Sequence, residues 1–349
     1  MKKIIYYIFM IGLYLTCISC SNKSNLSFTP PAFPESVSLK GKVLVDSFMI
    51  GACYDIAYYN KTLLVIGYTG EKEENIHLFS RENGTHIKSI LPKGRGAGEA
   101  IAVPHIDIDH RTGMAFFYDY MAYRLHYFQV DSIIGHTNTT DYLFSSAYPY
   151  MARILKGQEG YIGIEGCRKA DGKIPRLFLI EQDSIIDEYY RYPAVDIPVK
   201  NGIKASYIYA HYAMGSNKNK IVCASTYGAI LEIFNITSNH IELDTIVGFV
   251  PPVYTTDKNG FLKILPGETT WGFLDLYTTD KYIYTIYCGG KDIQNKNKIA
   301  VFDWKGQGVR LYSTDYQLEC ICVDEKSDKI YATTVNSEGE KIIVEFKLP

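Results

Sequence analysis

The chain has 349 residues, of which 47% are hydrophobic and 14% aromatic, and its mean hydropathy is -0.08. This composition excludes a largely disordered chain and a protein with many membrane spans. Lysine and arginine number 36 against 38 aspartates and glutamates, so the formal charge of -2 leaves no basic surface for nucleic acid. We therefore expect a globular protein of one large or two ordinary domains that binds no nucleic acid.

The first 20 residues have the features of a bacterial lipoprotein signal. Two lysines precede an uncharged run from Ile4 to Ser19, which has the length of a signal-peptide core and not that of a membrane span. The residues before Cys20 resemble a lipobox, although Cys17 stands where leucine is usual. We expect residues 1–19 to be removed and Cys20 to be lipidated. An ordinary secretory signal and an uncleaved anchor are the alternatives.

A segment without periodicity follows this cysteine. Residues 20–36 are rich in Ser, Asn and Pro, which predicts a flexible tether that carries the folded body at residues 37–349. The acyl chains on Cys20 would make a membrane its lasting partner. In the lipoproteins that this signal resembles, an acidic stretch after the cysteine directs export to the cell surface, and none is present here. We expect the periplasmic face of the outer membrane, with the cell surface as the alternative.

Cysteine usage leaves two interpretations open. Apart from Cys17 and Cys20, the cysteines are Cys53, Cys167, Cys223, Cys288, Cys320 and Cys322. Their irregular spacing, in a chain long enough to bury a core, favours buried free thiols. Cys320 and Cys322 point to the same face of one strand, so a bridge between them is geometrically awkward. A bridge from Cys53 to Cys320 or Cys322 requires that the fold bring the chain ends together.

From residue 41 onward, short runs rich in Tyr, Ile, Val and Phe alternate with polar turns, and helical periodicity is almost absent. Six tight turns recur about every 54 residues, marked by Asn60, Gly113, Gly160, Asn219, Asp280 and Asp328. A period near 50 residues of antiparallel strands is typical of a β-propeller with one four-stranded blade per period. The sequence therefore predicts an all-β fold, a six-bladed β-propeller.

The ends of the repeat region predict how the ring closes. The last unit has only three strands before Pro349, while an extra strand at residues 42–48 precedes the first unit. This N-terminal strand can complete the last blade, which would bury two sheet edges that otherwise invite aggregation. We therefore expect the first and last segments of the propeller to be neighbours.

The connector KGRGAGE, at residues 93–99, is the most distinctive stretch of the chain. It is no phosphate-binding loop, because GxxxxGK[ST] is absent and a strand follows it. Its three alternate glycines permit unusual backbone angles, which leaves Arg95 and Glu99 as charges held in a defined frame. We interpret these two residues either as a structural clamp or as ligand contacts at the mouth of the propeller channel.

GRGAGE and the following HIDIDHRTGMAFFYDYMAYRLHYFQ resemble the glycine-rich connector and next blade of TolB-like six-bladed propeller lipoproteins of Bacteroidota, which are similar to NHL-repeat propellers. In that pattern one strand ends in Asp and its partner runs from a basic residue to an aromatic one, as Asp119, Arg124 and Phe128 do. Ala97 replaces the usual connector proline. The resemblance is detailed over residues 90–130 and rests on the repeat pattern elsewhere. It implies a fold and an envelope location, and no agreed activity.

Motifs that would carry catalysis are not apparent. His105, Asp107 and Asp109 alternate on one predicted strand, a spacing that a metal site could use. Asp109 has a repeat counterpart in Asp324, and because both precede a hairpin turn, turn capping explains the recurrence more simply. No G-x-S-x-G, HExxH or CxxC pattern occurs. We therefore predict no catalytic residue, no metal site and no cofactor.

The anchor, the tether and the lack of a catalytic motif favour a binding or scaffold propeller. Its partner would be an envelope protein or glycan at the channel mouth, contacted by Arg95, Glu99, Asp119 and Arg124. A metal-assisted lactonase, lyase or hydrolase is the alternative, which acids of the inner strands pointing into the channel would support. A third hypothesis is a structural component of an outer-membrane assembly, which a broad apolar patch on one face of the protein would support. The fold by itself does not choose among them.

Overall fold

The computed structural model describes residues 26–48, 51–68, 74–135, 144–147, 151–166, 175–181, 184–193, 210–215, 217–253, 255–256, 258, 262–263, 265 and 267–349. The predicted signal and Cys20 lie outside these residues, as does Cys167. In the part of the chain that the structure describes, no helix has the length and apolar character needed to cross a membrane.

Six antiparallel sheets follow one another along the chain. Two strands, β1 (Glu35–Leu39) and β2 (Gly41–Phe48), precede them. Blade 1 contains β3 (Ala52–Tyr59), β4 (Thr62–Tyr68), β5 (Glu74–Ser80) and β6 (His86–Pro92). Blade 2 contains β7 (Asp107–Asp109), β8 (Met114–Asp119), β9 (Arg124–Gln129) and β10 (Phe144–Ala147), with the short helix α1 (Val130–Gly135) between the last two. Blade 3 contains β11 (Met151–Lys156), β12 (Tyr161–Gly166), β13 (Leu177–Glu181) and β14 (Ser184–Tyr189).

The second half of the ring repeats this plan. Blade 4 contains β15 (Ala210–Met214), β16 (Lys220–Ser225), β17 (Ala229–Ile236) and β18 (Ile241–Val250), and the hairpin of β19 (Thr255–Thr256) and β20 (Leu262–Lys263) follows it. Blade 5 contains β21 (Trp271–Thr278), β22 (Tyr282–Gly290), β23 (Lys298–Asp303) and β24 (Gly308–Thr314). Blade 6 contains β25 (Cys320–Asp324), β26 (Lys329–Val335) and β27 (Lys341–Lys347). The predicted all-β, six-bladed β-propeller is confirmed.

The six turns that mark the repeat join the first and second strands of each blade. Several of their residues adopt the left-handed backbone that such turns require, with φ of 48° at Asn60, 74° at Gly113 and 53° at Asp328. The carboxylates of Asp109 and Asp324 each accept a hydrogen bond from the backbone N–H two residues on, at 3.0 and 3.1 Å. The prediction that these two aspartates cap turns is confirmed.

The N-terminal strand completes blade 6, as predicted. Strand β2 pairs antiparallel with β27, with Val43 opposite Val344 and Val45 opposite Ile343. Blade 6 therefore combines three strands from the end of the chain with one from its beginning. The first and last segments of the propeller are neighbours, and β27 has no free edge.

Strand β1 is a feature that the sequence does not predict. It pairs in parallel with β24 and adds a fifth strand to blade 5. Upstream of it, the backbone of Phe28 bridges to Gly248 of blade 4, and the ring of Phe33 packs edge-on against Phe302 of blade 5 at 5.5 Å. These contacts place part of the predicted tether, residues 26–36, against the outside of the propeller.

The hydrophobic core lies between adjacent blades. Alternate side chains of each strand face one neighbouring blade or the other, so most middle strands are buried along almost their whole length. One such layer joins blades 5 and 6 through residues such as Ile299, Ile321 and Phe346. The innermost strands depart from this apolar pattern, because they carry ionisable side chains towards the axis of the ring.

Candidate functional site

The innermost strands of the six blades, β3, β7, β11, β15, β21 and β25, surround a central channel. A cavity of about 650 Å³ occupies one end of it and is lined by residues from all six blades. We call it the channel cavity. We call its end of the ring, where the first turn of each blade lies, the turn face, and the opposite end, where each blade is joined to the next, the connector face.

Five ionisable side chains from five consecutive blades approach one another around the channel. They are Asp55, His105, Arg153, His211 and Asp275, and we call them the axial cluster. Nδ1 of His105 lies 2.5 Å from Oδ2 of Asp55, in a contact between blades 1 and 2. Nδ1 of His211 lies 4.0 Å from Oδ1 of Asp275, a separation too long for a hydrogen bond.

The two carboxylates of the axial cluster also hold neighbouring blades together. Oδ2 of Asp55 accepts a hydrogen bond from the backbone N–H of Ile106 in the next blade at 2.9 Å. Oδ2 of Asp275 accepts one from the N–H of Ile321 in the next blade at 2.7 Å. The same connection therefore recurs between blades 1 and 2 and between blades 5 and 6, and it fixes both acids in place.

Burial sets the protonation of the axial cluster. It raises the pKa of Asp275 to about 7, with a further contribution from the charge of Asp55. Burial lowers the pKa of His211 to about 4, and the positive charges of Arg153 and His105 act in the same direction. At neutral pH His211 is therefore uncharged and its contact with Asp275 is not an ion pair. A carboxyl group that titrates near neutrality, beside a neutral imidazole, is suited to holding or moving a proton.

Cations surround the cavity at the turn face. Nζ of Lys218, from the first turn of blade 4, lies 2.6 Å from Oδ2 of Asp109 in blade 2. Nζ of Lys156 in blade 3 lies 4.1 Å from the centre of the Tyr161 ring. Burial and, to a smaller extent, the charge of Lys218 lower the pKa of Lys156, whereas the charge of Asp109 acts in the opposite direction. In all, five lysines and arginines line the cavity against four aspartates: Arg111, Arg153, Lys156, Lys218 and Lys326 against Asp55, Asp107, Asp109 and Asp280.

The residues that the sequence marks as ligand contacts lie on the connector face. Asp119 and Arg124 are paired on either side of the turn between β8 and β9. Arg95 and Glu99 lie in the connector between blades 1 and 2, which reaches the same turn through a hydrogen bond from Ile101 N–H to Oδ2 of Asp119 at 2.6 Å. The four residues therefore belong to one region, and none of them lines the channel cavity.

Two of these four side chains are engaged within the protein. Asp119 is fully buried, and its Oδ1 accepts hydrogen bonds from the N–H groups of Met121 and Ala122, both at 3.0 Å. Oε2 of Glu99 accepts one from the N–H of Gly96 at 2.7 Å. Glu99 therefore stabilises its own connector, and Asp119 stabilises the turn that follows it. Arg95 and Arg124 are exposed, and their role in ligand contact stays a prediction.

Glycine at positions 94 and 96 makes room for this clamp. A Cβ added to Gly94 would lie 2.0 Å from Oε2 of Glu99, and one added to Gly96 would lie 2.9 Å from the same atom. The glycine-rich spacing of the connector is therefore a steric requirement of the Glu99 carboxylate as well as a source of backbone freedom.

Three large exposed side chains lie on the connector face, in blades 1 and 2. Tyr54, Met121 and Tyr123 are each about half exposed. The ring of Tyr54 packs edge-on against Tyr68 at 5.2 Å, and Nζ of Lys93 lies 5.8 Å from the centre of the Tyr68 ring. This surface offers aromatic faces to a partner, as the tyrosine-rich composition allows.

His105, Asp107 and Asp109 do not lie together on one strand, as their spacing suggested. Strand β7 covers only the two aspartates, while His105 precedes it and pairs with Asp55. Asp109 caps its turn and binds Lys218. Among the residues that the structure describes, no three His, Cys, Asp or Glu side chains are grouped as a metal ion would require.

Known proteins share this six-bladed architecture. The profile of the TolB-like 6-blade propeller-like family matches residues 32–326. A solved exported protein of Bacteroides fragilis NCTC 9343 is similar with a TM-score of 0.55 and 13% identity, over 93% of this chain and 99% of that one. A member of the duf4221 family from Bacteroides vulgatus ATCC 8482 is similar with a TM-score of 0.51 and 11% identity, over 89% and 98%. These likenesses concern the fold. No curated protein matches the chain significantly.

Proposed function

Because the chain belongs to the TolB-like six-blade propeller family, we propose that it is a lipid-anchored binding propeller of the outer membrane. Its channel cavity would take a small anionic glycan from the surrounding envelope. The observation that carries the proposal is the convergence of cations from several blades on one cavity. The fold alone carries no activity, so the argument rests on this site.

The size and lining of the cavity suit a short sugar chain. A volume of about 650 Å³ lies in the range of small-molecule sites. Its walls alternate donors and acceptors, with Gln158, Tyr277 and Thr278 among the uncharged ones. Hydroxyl-rich ligands need such a mixture, since every buried sugar hydroxyl requires a partner.

The charge balance favours an anion. Asp109 is paired with Lys218 and Asp55 lies against the His105 ring, so two of the four lining carboxylates already have partners within the protein. Burial lowers the pKa of Lys156, and the nearby positive charge of Lys218 lowers it further. A bound carboxylate would relieve this repulsion. Anion binding and proton binding at Lys156 are therefore thermodynamically linked: a bound anion should raise the pKa of Lys156.

The glycan proposal is tested by the melting temperature of the protein with digalacturonic acid and with neutral digalactose as probes. A ligand that binds the folded state raises the melting temperature by mass action. We expect the acidic disaccharide to raise it and the neutral one to have little effect. The variant K156M should weaken binding at least tenfold, while K347M, which removes an exposed lysine outside the cavity, should bind as the wild type does.

Other outcomes point elsewhere. Equal binding by K156M and the wild type, or equal shifts from both sugars, would contradict an anion site in the channel cavity. A shift that EDTA abolishes would favour the metal-assisted enzyme that the sequence leaves open. If neither sugar acts, a protein partner replaces the glycan, and crosslinking in intact envelopes becomes the next measurement.

The anchor is tested separately. Cys20 is the proposed lipidation site, so the wild-type chain should fractionate with membranes and C20S should be released on cell lysis. Recovery of both proteins in the same fraction would contradict lipidation at this cysteine. Protease accessibility on whole cells then distinguishes the periplasmic face from the cell surface.

A further inference from the structure

The side chains of Cys53 and Cys320 meet where the ring closes. Cys53 lies in β3, the innermost strand of blade 1, and Cys320 is the first residue of β25, the innermost strand of blade 6. Sγ of Cys320 donates towards the carbonyl oxygen of Cys53 at 3.9 Å, and the two side chains pack in the same hydrophobic cluster between blades 6 and 1. Two cysteines from opposite ends of the chain therefore lie side by side at the junction of blades 6 and 1.

The remaining described cysteines have other surroundings. The thiol of Cys322 lies among the charged groups of Arg81 and the neighbouring acids. Cys288 donates to the carbonyl oxygen of Asp292 at 3.1 Å. Of the two bridges to Cys53 that the sequence leaves open, the geometry therefore favours Cys320.

We propose that Cys53 and Cys320 form a disulfide bond in an oxidising compartment, which closes the ring covalently between blades 6 and 1. This goes beyond ligand binding, and it rests on the proposed export, because disulfides persist outside the cytosol. Each thiol gives up one proton and one electron as the Sγ–Sγ bond forms. Glutathione disulfide, or another disulfide oxidant, accepts the two electrons and leaves as two thiols.

The surroundings of the pair determine when the bridge forms. Cys53 is partly exposed and Cys320 is buried, so the Cys53 thiolate attacks glutathione disulfide first and releases one glutathione. The Cys320 thiolate then attacks Sγ of Cys53 in this mixed disulfide and displaces the second glutathione. Contact with Cys53 and burial raise the pKa of the Cys320 thiol well above its ordinary value. Since the thiolate is the attacking species, this exchange is slow in the folded protein. We expect the bridge to form while the ring is closing.

The bridge should stabilise the ring noticeably, because it constrains a very long loop of the unfolded chain. It would join the first blade to the last at the innermost strands, whereas the pairing of β2 with β27 joins the chain ends inside blade 6. The two closures are independent, one covalent and one through backbone hydrogen bonds. Reduction should therefore lower stability without opening the propeller.

The test uses the chain from Ser21 onward, unfolded in reducing buffer and refolded in a mixture of reduced and oxidised glutathione. After alkylation of free thiols, digestion without reductant should yield one linked pair of peptides, containing Cys53 and Cys320. C322S is the matched control and should give the same pair, whereas C320S should give none. The oxidised wild type should melt about 5 °C above its reduced form.

Three results would overturn the proposal. They are alkylation of both thiols after refolding, linkage of Cys53 to Cys322, and a melting difference that C320S retains. None of these readouts involves a sugar. The experiments can therefore disprove the disulfide while supporting glycan binding, or disprove glycan binding while supporting the disulfide.

Discussion

Arg176 donates hydrogen bonds to both carboxylate oxygens of Glu232 across the boundary between blades 3 and 4, and both side chains are buried. The guanidinium also lies 4.9 Å from the centre of the Tyr192 ring. Two charges withdrawn from water in this way stabilise each other, but each depends on the other to offset its desolvation.

The first prediction concerns this pair. R176M should lower the free energy of unfolding by about 3–5 kcal/mol, because it leaves the carboxylate of Glu232 buried without its cation. The double variant R176M/E232L should lose less than R176M alone, since no charge remains uncompensated. Urea unfolding of the wild type, both single variants and the double variant measures the coupling. A double variant as unstable as the sum of the single variants would contradict the account.

The second prediction concerns pH. Burial and Asp55 raise the pKa of Asp275 to about 7, so near pH 5 to 6 the folded chain holds a proton that the unfolded chain, with a pKa near 3.8, has released. The stability from this proton is complete below the unfolded pKa and is lost as the pH rises through 7. The wild type should therefore lose stability between pH 5 and 8, and D275N should lose less.

Unfolding free energies of both proteins at pH 5, 6, 7 and 8 measure this difference. His211, whose pKa is lowered to about 4, acts with the opposite sign, because its contribution is lost as the pH falls from 6.5 towards 4. Because His211 lies next to Asp275, the pair H211N and H211N/D275N is compared in the same way to remove its contribution. Parallel curves for the wild type and D275N would show that Asp275 does not titrate in this window.

The third prediction separates the clamp from ligand contact in the connector. E99A should lower the free energy of unfolding by about 0.5–1.5 kcal/mol, because the exposed N–H of Gly96 exchanges its carboxylate acceptor for water. R95A should change stability by less than about 0.5 kcal/mol, since Arg95 is exposed. Thermal unfolding of both variants is the measurement. If both variants leave glycan or partner affinity unchanged, neither side chain is a ligand contact.

The fourth prediction concerns ring closure. Removal of residues 26–48 deletes β2, exposes the edge of β27 and should abolish cooperative unfolding. Removal of residues 26–39 alone takes away β1 but leaves the closing strand in place. This shorter deletion should still unfold in one transition, at a lower temperature. Calorimetry distinguishes the two, and a cooperative transition in the longer deletion would contradict a closing role for β2.

Sequence periodicity predicts the six-bladed ring, but it does not predict which side chains meet in the central channel. The turns and the missing strand of blade 6 are local patterns, so the repeat, the six blades and the role of residues 42–48 could all be read from the chain. Strand β1 could not, because its parallel partner β24 is remote in sequence, and the alternation of Val37 and Leu39 with serines is too short to specify that partner. The same holds for the packing of Phe33 on Phe302.

The axial cluster is missed for a related reason. Its members come from different blades, and only closure of the ring brings them together. One signal was present: Asp55 and Asp275 both stand five residues before the turn marker of their blade, at Asn60 and Asp280. Aligning the innermost strands on these markers would have singled out the two acids. The connector, by contrast, is conspicuous in the sequence because of its glycines. In the structure, two of these glycines make room for Glu99.

The position of β1 bears on how the protein withstands force. A load applied through residues ahead of Phe28 reaches the contacts on blades 4 and 5 first, and then the five residue pairs between β1 and β24. Only after these have yielded does it reach β2, whose loss would open the ring. Strand β1 should therefore detach before the closing strand does, so that a pull on the N-terminal segment removes a peripheral strand while the propeller stays closed.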